Sequence, residues 1–358
     1  MAIWYVKPAS IGGSDSNDGS SFALAKATLD AAYALASSGD TVRVCSDASN
    51  PFIDIELLLN SGASNVTFVG ADTTDGTPYT GSNRAVLTHT GTGYLIACGD
   101  SSVHSCYFYN LSLQGTSNTD GFFSNAISIG HCFINCEFKN LQYGAYISKN
   151  TANTKTGLSS FFDCVFDACV RGIFSYDTNN GYYGGMSIYC VNCLFKNNSY
   201  GIYSYASYTG TGFADHFTAS IDECRFVNNL SGFYAEDAMN SYFNRCVFYS
   251  NSSHAISLNG AYQKISVRNT IFHSNGGYAI SSATAISIGN ICGFIDYNCY
   301  YNNTSGIVNA NVNGGTTPGS NNVTSNPLFV SLEPGNEDFR LQGTSPCLSV
   351  GIGYTQGQ

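Results

Sequence analysis

Charge is what this chain has least of. Only 11% of its 358 residues are charged, against roughly a quarter in an average soluble protein. The 14 Lys and Arg are outnumbered by 24 Asp and Glu, for a net charge of −10. No basic stripe exists, so nucleic acid and anionic membranes are not expected partners, because both require clustered cations. Proline is scarce at 7 residues. No apolar run is long enough to span a bilayer. The opening residues 1–8 lack a basic stretch followed by a long apolar one, so no signal peptide is expected either. What the chain does have is glycine (38), cysteine (14) and aromatics (14%). That aromatic content is too high for a disordered polar tract and is enough to build a core.

A short phrase recurs through the middle of the chain: Cys, any residue, an aromatic, then Asn. It stands at 106–110, 136–140, 164–166, 193–197, 224–228 and 246–248, with looser copies at 270–272 and 299–303. The aromatics fall at 108, 138, 166, 195, 226, 248, 272 and 301, a period of 22–31 residues. Periods of this size mark a solenoid with one structural turn per repeat. Residues two apart in a strand share a face. Cys193 and Phe195 therefore point inward, and Asn192, Leu194 and Lys196 point outward. Stacking of equivalent positions predicts a buried row of reduced thiols, since free Cys behaves as a small hydrophobe. Cys190 and Cys193 have a metal-like spacing but no second pair follows, so no metal and no cofactor is expected.

Asn-rich bends follow each core strand, where the residue tolerates a left-handed conformation and its amide can bond to the next copy. A second short strand, often opened by Gly, comes after the bend at 144–147, 172–174, 201–203 and 232–234. Short strands with no helical period between them predict an all-β, single-stranded right-handed parallel β-helix of about ten coils. A β-propeller would need blades of about 40 residues. The expected organisation is one continuous domain: 1–39 as strand, loop and capping helix, 40–310 as β-helix, and 311–358 as an irregular C-terminal cap. Thr28 is the expected helix N-cap, Asp30 suits the first turn, and Gly39 ends the helix.

The opening strand, the loop from Gly13-Ser14-Asp15 to Asp18-Gly19, the capping helix, Gly39-Asp40-Thr41-Val42, the repeats and the Asn326-Pro327-Leu328-Phe329 tail together resemble the pectate-lyase-like right-handed parallel β-helix superfamily. The resemblance covers nearly the whole chain. That superfamily includes polysaccharide lyases, glycoside hydrolases, phage tailspikes and non-catalytic virion proteins, and this chain is most similar to the bacteriophage virion members. The resemblance implies a non-catalytic surface component of a virion, as capsid decoration or spike. Implied partners are other virion proteins and host surface polysaccharide, with a trimer as one arrangement. The alternative it implies is a polysaccharide-degrading tailspike.

Catalysis in such a fold needs either a base with a charge stabiliser or two carboxylates at a set separation. Asn118-Thr119-Asp120-Gly121 matches the first polygalacturonase motif. The Asp-Asp pair and the Arg-Ile-Lys of that family are absent, and Gly130-His131-Cys132 has lost the second Gly of its Gly-His-Gly. The segment is therefore read as a turn. No complete catalytic set is found; the weak candidates are Asp215, His216, Glu236 and Asp237, in the most variable loops. Asp163, Glu223 and Arg245 share one repeat position and are expected to line an outer face, with Glu223 and Arg245 pairing across coils. Tyr182, Tyr183, Tyr203, Tyr205 and Tyr208 are the expected glycan- or protein-binding surface, exposed rings being flat platforms for either.

Overall fold

The computed structural model describes residues 1–59, 63–99, 105–125, 130–149, 157–177, 186–206, 217–236, 239–260, 263–284 and 294–352. They form two compact units, Met1–Tyr176 and Asp177–Gln358. Each is a parallel β-solenoid whose coils contribute one strand to each of three sheets.

In the first unit the first sheet runs Ile3–Val6, Thr41–Cys45, Thr67–Ala71, Tyr107–Tyr109, His131–Ile134, Gly157–Phe162 in that spatial order. Its second sheet holds Ala85–Thr88, Leu111–Gln114, Glu137–Lys139 and Val165–Asp167. The third begins at Leu57–Leu58 and continues through Gly93–Cys98, Thr119–Asn125, Tyr143–Lys149 and the strand from Arg171. In the second unit the central strands are Phe217–Asp222, Arg225–Val227 and Ser231–Glu236, one per sheet. Strand pairing is parallel and in register from coil to coil, as between Arg225–Val227 and Val247–Tyr249. Complete coils are slightly fewer than the ten expected.

The core is a set of stacked rings. In the second unit Phe195, Phe226, Phe248, Phe272 and Tyr300 form a column with centroid spacings of 4.5–5.3 Å. This is one ring per coil at the inter-strand spacing. In the first unit Phe138 stacks on Phe166 at 4.6 Å in the second sheet, while Phe68, Phe108, Phe133 and Phe161 form a separate column in the first. The phrase at 106–110 therefore belongs to the first sheet, not to the column shared by the later copies. Leu113 pairs with Phe138 instead. The last copy is displaced too: Tyr300, not Tyr301, continues the ring column, and Cys299 pairs with Ile271 rather than following the Cys positions.

The cysteines latch corners. No disulfide joins the described cysteines, and all but Cys132 are buried. The residue before each latch is left-handed: Asn135, Asp163, Asn192, Glu223 and Arg245 have φ of 51–55°. That bend turns the next thiol back onto the carbonyl two residues earlier. Cys136, Cys164, Cys193, Cys224 and Cys246 all donate there at 3.3–3.4 Å. Thr270 takes over the role through its hydroxyl, which donates to Arg268 O at 2.9 Å. Burial pushes the Cys246 thiol up to about 12, so it is protonated at neutral pH.

The Asn positions divide their labour. Asn197, Asn228 and Asn302 adopt the left-handed bend. The next position forms a ladder: Asn198, Asn229, Asn251 and Asn275 each donate an amide N–H to the Oδ1 of the following Asn at 2.7–3.0 Å. In the coil at Cys164, Ala168 is left-handed without an amide, at φ 54°. Glycine opens the third-sheet strands because a core ring lies beneath it. A Cβ on Gly144 would sit 2.7 Å from Phe166 Cδ1 and 2.5 Å from Gly172 O.

Both ends are capped, although the helix stops at Tyr33 with Ala34 as its C-cap and does not run on to Gly39. The helix spans Leu29–Tyr33, and Thr28 Oγ1 accepts from Ala31 N at 3.2 Å. Leu29, Ala32 and Tyr33 are buried, and Tyr33 packs on Phe68 at 5.9 Å. At the other end Phe329–Ser331 and Asp338–Leu341 form a small antiparallel pair. Phe329, Phe339, Cys347 and Ile352 cover the outward residues Val227, Val247, Ile271 and Cys299 of the second unit's second sheet. This wrap explains why Cys299 is buried although it faces away from the ring column.

Candidate functional site

The third sheet of each unit presents aromatic rings to the outside. Alternation after the corner glycine sets the pattern. In Ser231–Glu236, Phe233 and Ala235 are buried, while Tyr234 and Glu236 are half-buried and face out. Register places Tyr203 opposite Tyr234 and Tyr205 opposite Glu236. The Tyr203 and Tyr234 rings stack at 5.0 Å with a 12° interplanar angle. Tyr200 meets both edge-on, at 5.0 and 5.2 Å.

Glu236 ties this cluster together. Its Oε1 accepts from the Tyr203 hydroxyl at 2.9 Å and from the Tyr234 hydroxyl at 3.2 Å. Asn259 Nδ2 donates to the Tyr234 oxygen at 3.1 Å. Burial, then the Glu236 charge, pushes the Tyr234 phenol up to about 12. A phenol held so far above neutral pH is a hydrogen-bonding group, not a nucleophile. Glu236 is correspondingly engaged in holding rings. Of the sequence candidates, Tyr203, Tyr205 and Glu236 are thus brought together. Tyr182, Tyr183, Tyr208, Asp215, His216 and Asp237 lie outside the described residues.

The first unit carries a second aromatic row that the sequence reading missed. Tyr94 stacks on Phe123 at 4.6 Å, Phe123 meets Tyr146 at 5.3 Å, and Tyr146 stacks on Phe174 at 5.1 Å. The Arg171 guanidinium lies over Phe174 at 4.2 Å and over Tyr143 at 5.2 Å, and donates to the Tyr143 hydroxyl at 3.2 Å. A signal was available. In five coils an aromatic follows the corner glycine by two: Phe123, Tyr146, Phe174, Tyr203 and Tyr234. In later coils Ser257 and Ser281 fill that place.

Asp120 also departs from expectation. The segment read as a turn instead opens the strand Thr119–Asn125. Asp120 faces outward in register with Tyr94 and Tyr143, and loss of water pushes its carboxyl up to about 7. Glu223 and Arg245 pair across coils as their shared repeat position predicts, with Asp222 as a further partner. Arg245 Nη2 contacts Asp222 Oδ2 at 2.8 Å and Glu223 Oε1 at 3.1 Å, a partly exposed pairing of modest energetic weight. Among the described residues no three His, Cys, Asp or Glu side chains converge as a metal would need.

No protein-family model matches this chain, and no curated protein does. Solved structures do. A rhamnogalacturonan lyase matches over 99% of each chain with a TM-score of 0.50 and 13% identity. What the two share is the parallel β-helix fold. The ORF18 protein of Geobacillus virus E2 is also similar, at 12% identity and a TM-score of 0.45 over 80% of this chain. The chain spans about half of that viral protein's length (52%). At these identities the likeness concerns fold alone.

Proposed function

We propose that the protein is a non-catalytic, glycan-binding surface component of a bacteriophage particle. The observation that carries this reading is the outward stack of Tyr203 and Tyr234, bordered by Tyr200, Glu236 and Asn259. Flat ring faces receive the C–H face of a pyranose, and the fixed hydroxyl, carboxylate and amide groups at their edge suit sugar hydroxyls. The engagement of Glu236 by two phenols supports binding over bond cleavage. The interior supports a role on a particle surface: within each unit neighbouring described coils are joined by backbone pairing and stacked rings, and in the second unit by the Asn ladder as well. Its partners in this reading are other virion proteins and a host surface polysaccharide.

The test uses immobilised bacterial capsular and wall polysaccharides. The wild-type protein is retained by at least one of them. Replacing both tyrosines (Tyr203→Ala with Tyr234→Ala) weakens retention by about tenfold or more, as loss of two ring contacts predicts. Wild-type retention by the double variant, with its far-UV spectrum unchanged, would remove the tyrosine stack from the site.

A further inference from the structure

Within the first unit, one buried carboxyl oxygen has no hydrogen-bond partner. Asp120 is 7% exposed; the Tyr143 backbone N–H bonds to its carboxyl, and its Oδ1 accepts nothing among the described residues. Its neighbours on the flanking coils are Tyr94 and Tyr143. The adjacent outward column begins with Phe123 and Tyr146, also in register with each other. A buried oxygen left without a donor costs about 1–3 kcal/mol. On an outward aromatic face, a ligand that brings donors offsets that cost.

We infer that Asp120, Tyr94, Phe123, Tyr143 and Tyr146 form a subsite for an uncharged pyranose, its hydroxyls donating to the Asp120 carboxylate and its C–H groups packing against the Phe123 and Tyr146 rings. This deepens the glycan-binding reading and rests on it. An acidic sugar would bring a second carboxylate beside Asp120. An organic cation would compete with the protein's own, since Arg171 already covers the Tyr143 and Phe174 faces.

The subsite is coupled to pH. Desolvation holds the free carboxyl near 7, and donated hydroxyls favour its ionised form. Sugar binding therefore releases a proton, and affinity rises with pH. The titratable and charged groups around Asp120 are Tyr94, Tyr143 and Arg171, with the Glu56 charge acting on Tyr94 and His89 beside Gly93, which pairs with Thr119. Asp120→Asn separates the contribution of the carboxyl from theirs.

Calorimetric titration with neutral gluco-, galacto- and manno-oligosaccharides and N-acetylated chito-oligosaccharides tests this at pH 6 and pH 8. A uronate oligomer serves as the acidic arm. Wild-type protein binds a neutral sugar about tenfold more tightly at pH 8, following the ionised fraction of a carboxyl near 7. Asp120→Asn removes the pH dependence, and Phe123→Ala weakens binding about tenfold with the fold intact by far-UV spectrum. Equal wild-type affinity at both pH values overturns the inference, as does binding of the uronate alone. If Asp120→Asn and Phe123→Ala bind normally while the Tyr203/Tyr234 double variant does not, this subsite falls and the glycan-binding reading stands. If wild-type protein binds neither these probes nor any immobilised polysaccharide, both fall.

Discussion

Asn251→Leu lowers the stability of the protein by roughly 4 kcal/mol or more. Asn251 is fully buried. Its Nδ2 donates to Phe226 O at 3.0 Å and to Asn275 Oδ1 at 2.9 Å. Its Oδ1 accepts from Asn229 N at 3.1 Å and from Asn229 Nδ2 at 3.0 Å. Leucine has the same number of side-chain heavy atoms and the same branch at Cγ, but its methyl groups are bulkier, so overpacking adds to the polar loss. Phe226 O, Asn229 N and one Asn229 Nδ2–H lose a partner where water cannot replace it, at about 1–3 kcal/mol each before relaxation, while Asn275 Oδ1 keeps the Asn251 backbone N–H at 3.2 Å. Asn228→Gly is the control, because Asn228 serves only a left-handed bend that glycine adopts freely. Denaturant titration of both variants checks the pair. A loss below about 1 kcal/mol for Asn251→Leu would show that the ladder is not a source of stability.

Phe226→Ala costs about 3–5 kcal/mol through lost transfer energy and the cavity left behind. Its ring is fully buried between Phe195 at 4.8 Å and Phe248 at 4.5 Å. The same ring presses against Gly201, where an added Cβ would lie 2.8 Å from Phe226 Cδ1. The coil cannot collapse inward without shifting strands that are paired on both sides, so the cavity persists. Tyr203→Ala, on the outward face one column away, removes a half-buried ring and costs far less. Chemical denaturation of the two variants separates the roles. Equal losses would mean that inner and outer rings contribute alike.

Sequence carried the architecture because burial alternates with a two-residue period and the repeat supplies the stacking. Phe138, Phe166, Phe195, Phe226, Phe248 and Phe272 lie where their spacing puts them. The exceptions have a common cause. Corners leading into the first and second sheets both accept a small residue followed by an alternating strand, so the phrase at 106–110 fits either. Near the end, Asn298 replaces Cys as the corner latch, its Nδ2 donating to Val267 O at 3.0 Å, and Cys299 slides outward beneath the C-terminal wrap. That wrap joins residues far apart in the chain and leaves no local signature.

The outer face was less legible. Tyr203 and Tyr205 lie on the outer side of their strand, where the alternation of the repeat predicts them. The bonding of Glu236 to two phenols depends on coils 33 residues apart for Tyr203 and could not be read from spacing. Asp120 looked like a turn because Asn-Thr-Asp-Gly is turn-like composition. Its burial comes from Tyr94 and Tyr143, contributed by the coils on either side. A local motif cannot report the desolvation that neighbouring coils impose.

The proposed function is recognition of a glycan without cleavage. The most direct measurement incubates the protein with the polysaccharide that retains it and follows both binding and the polymer's chain length. The account predicts retention that depends on Tyr203 and Tyr234, with the polymer's size unchanged and no new ends formed. Release of reducing ends or unsaturated products by the purified protein would contradict it and establish a polysaccharide-degrading enzyme instead.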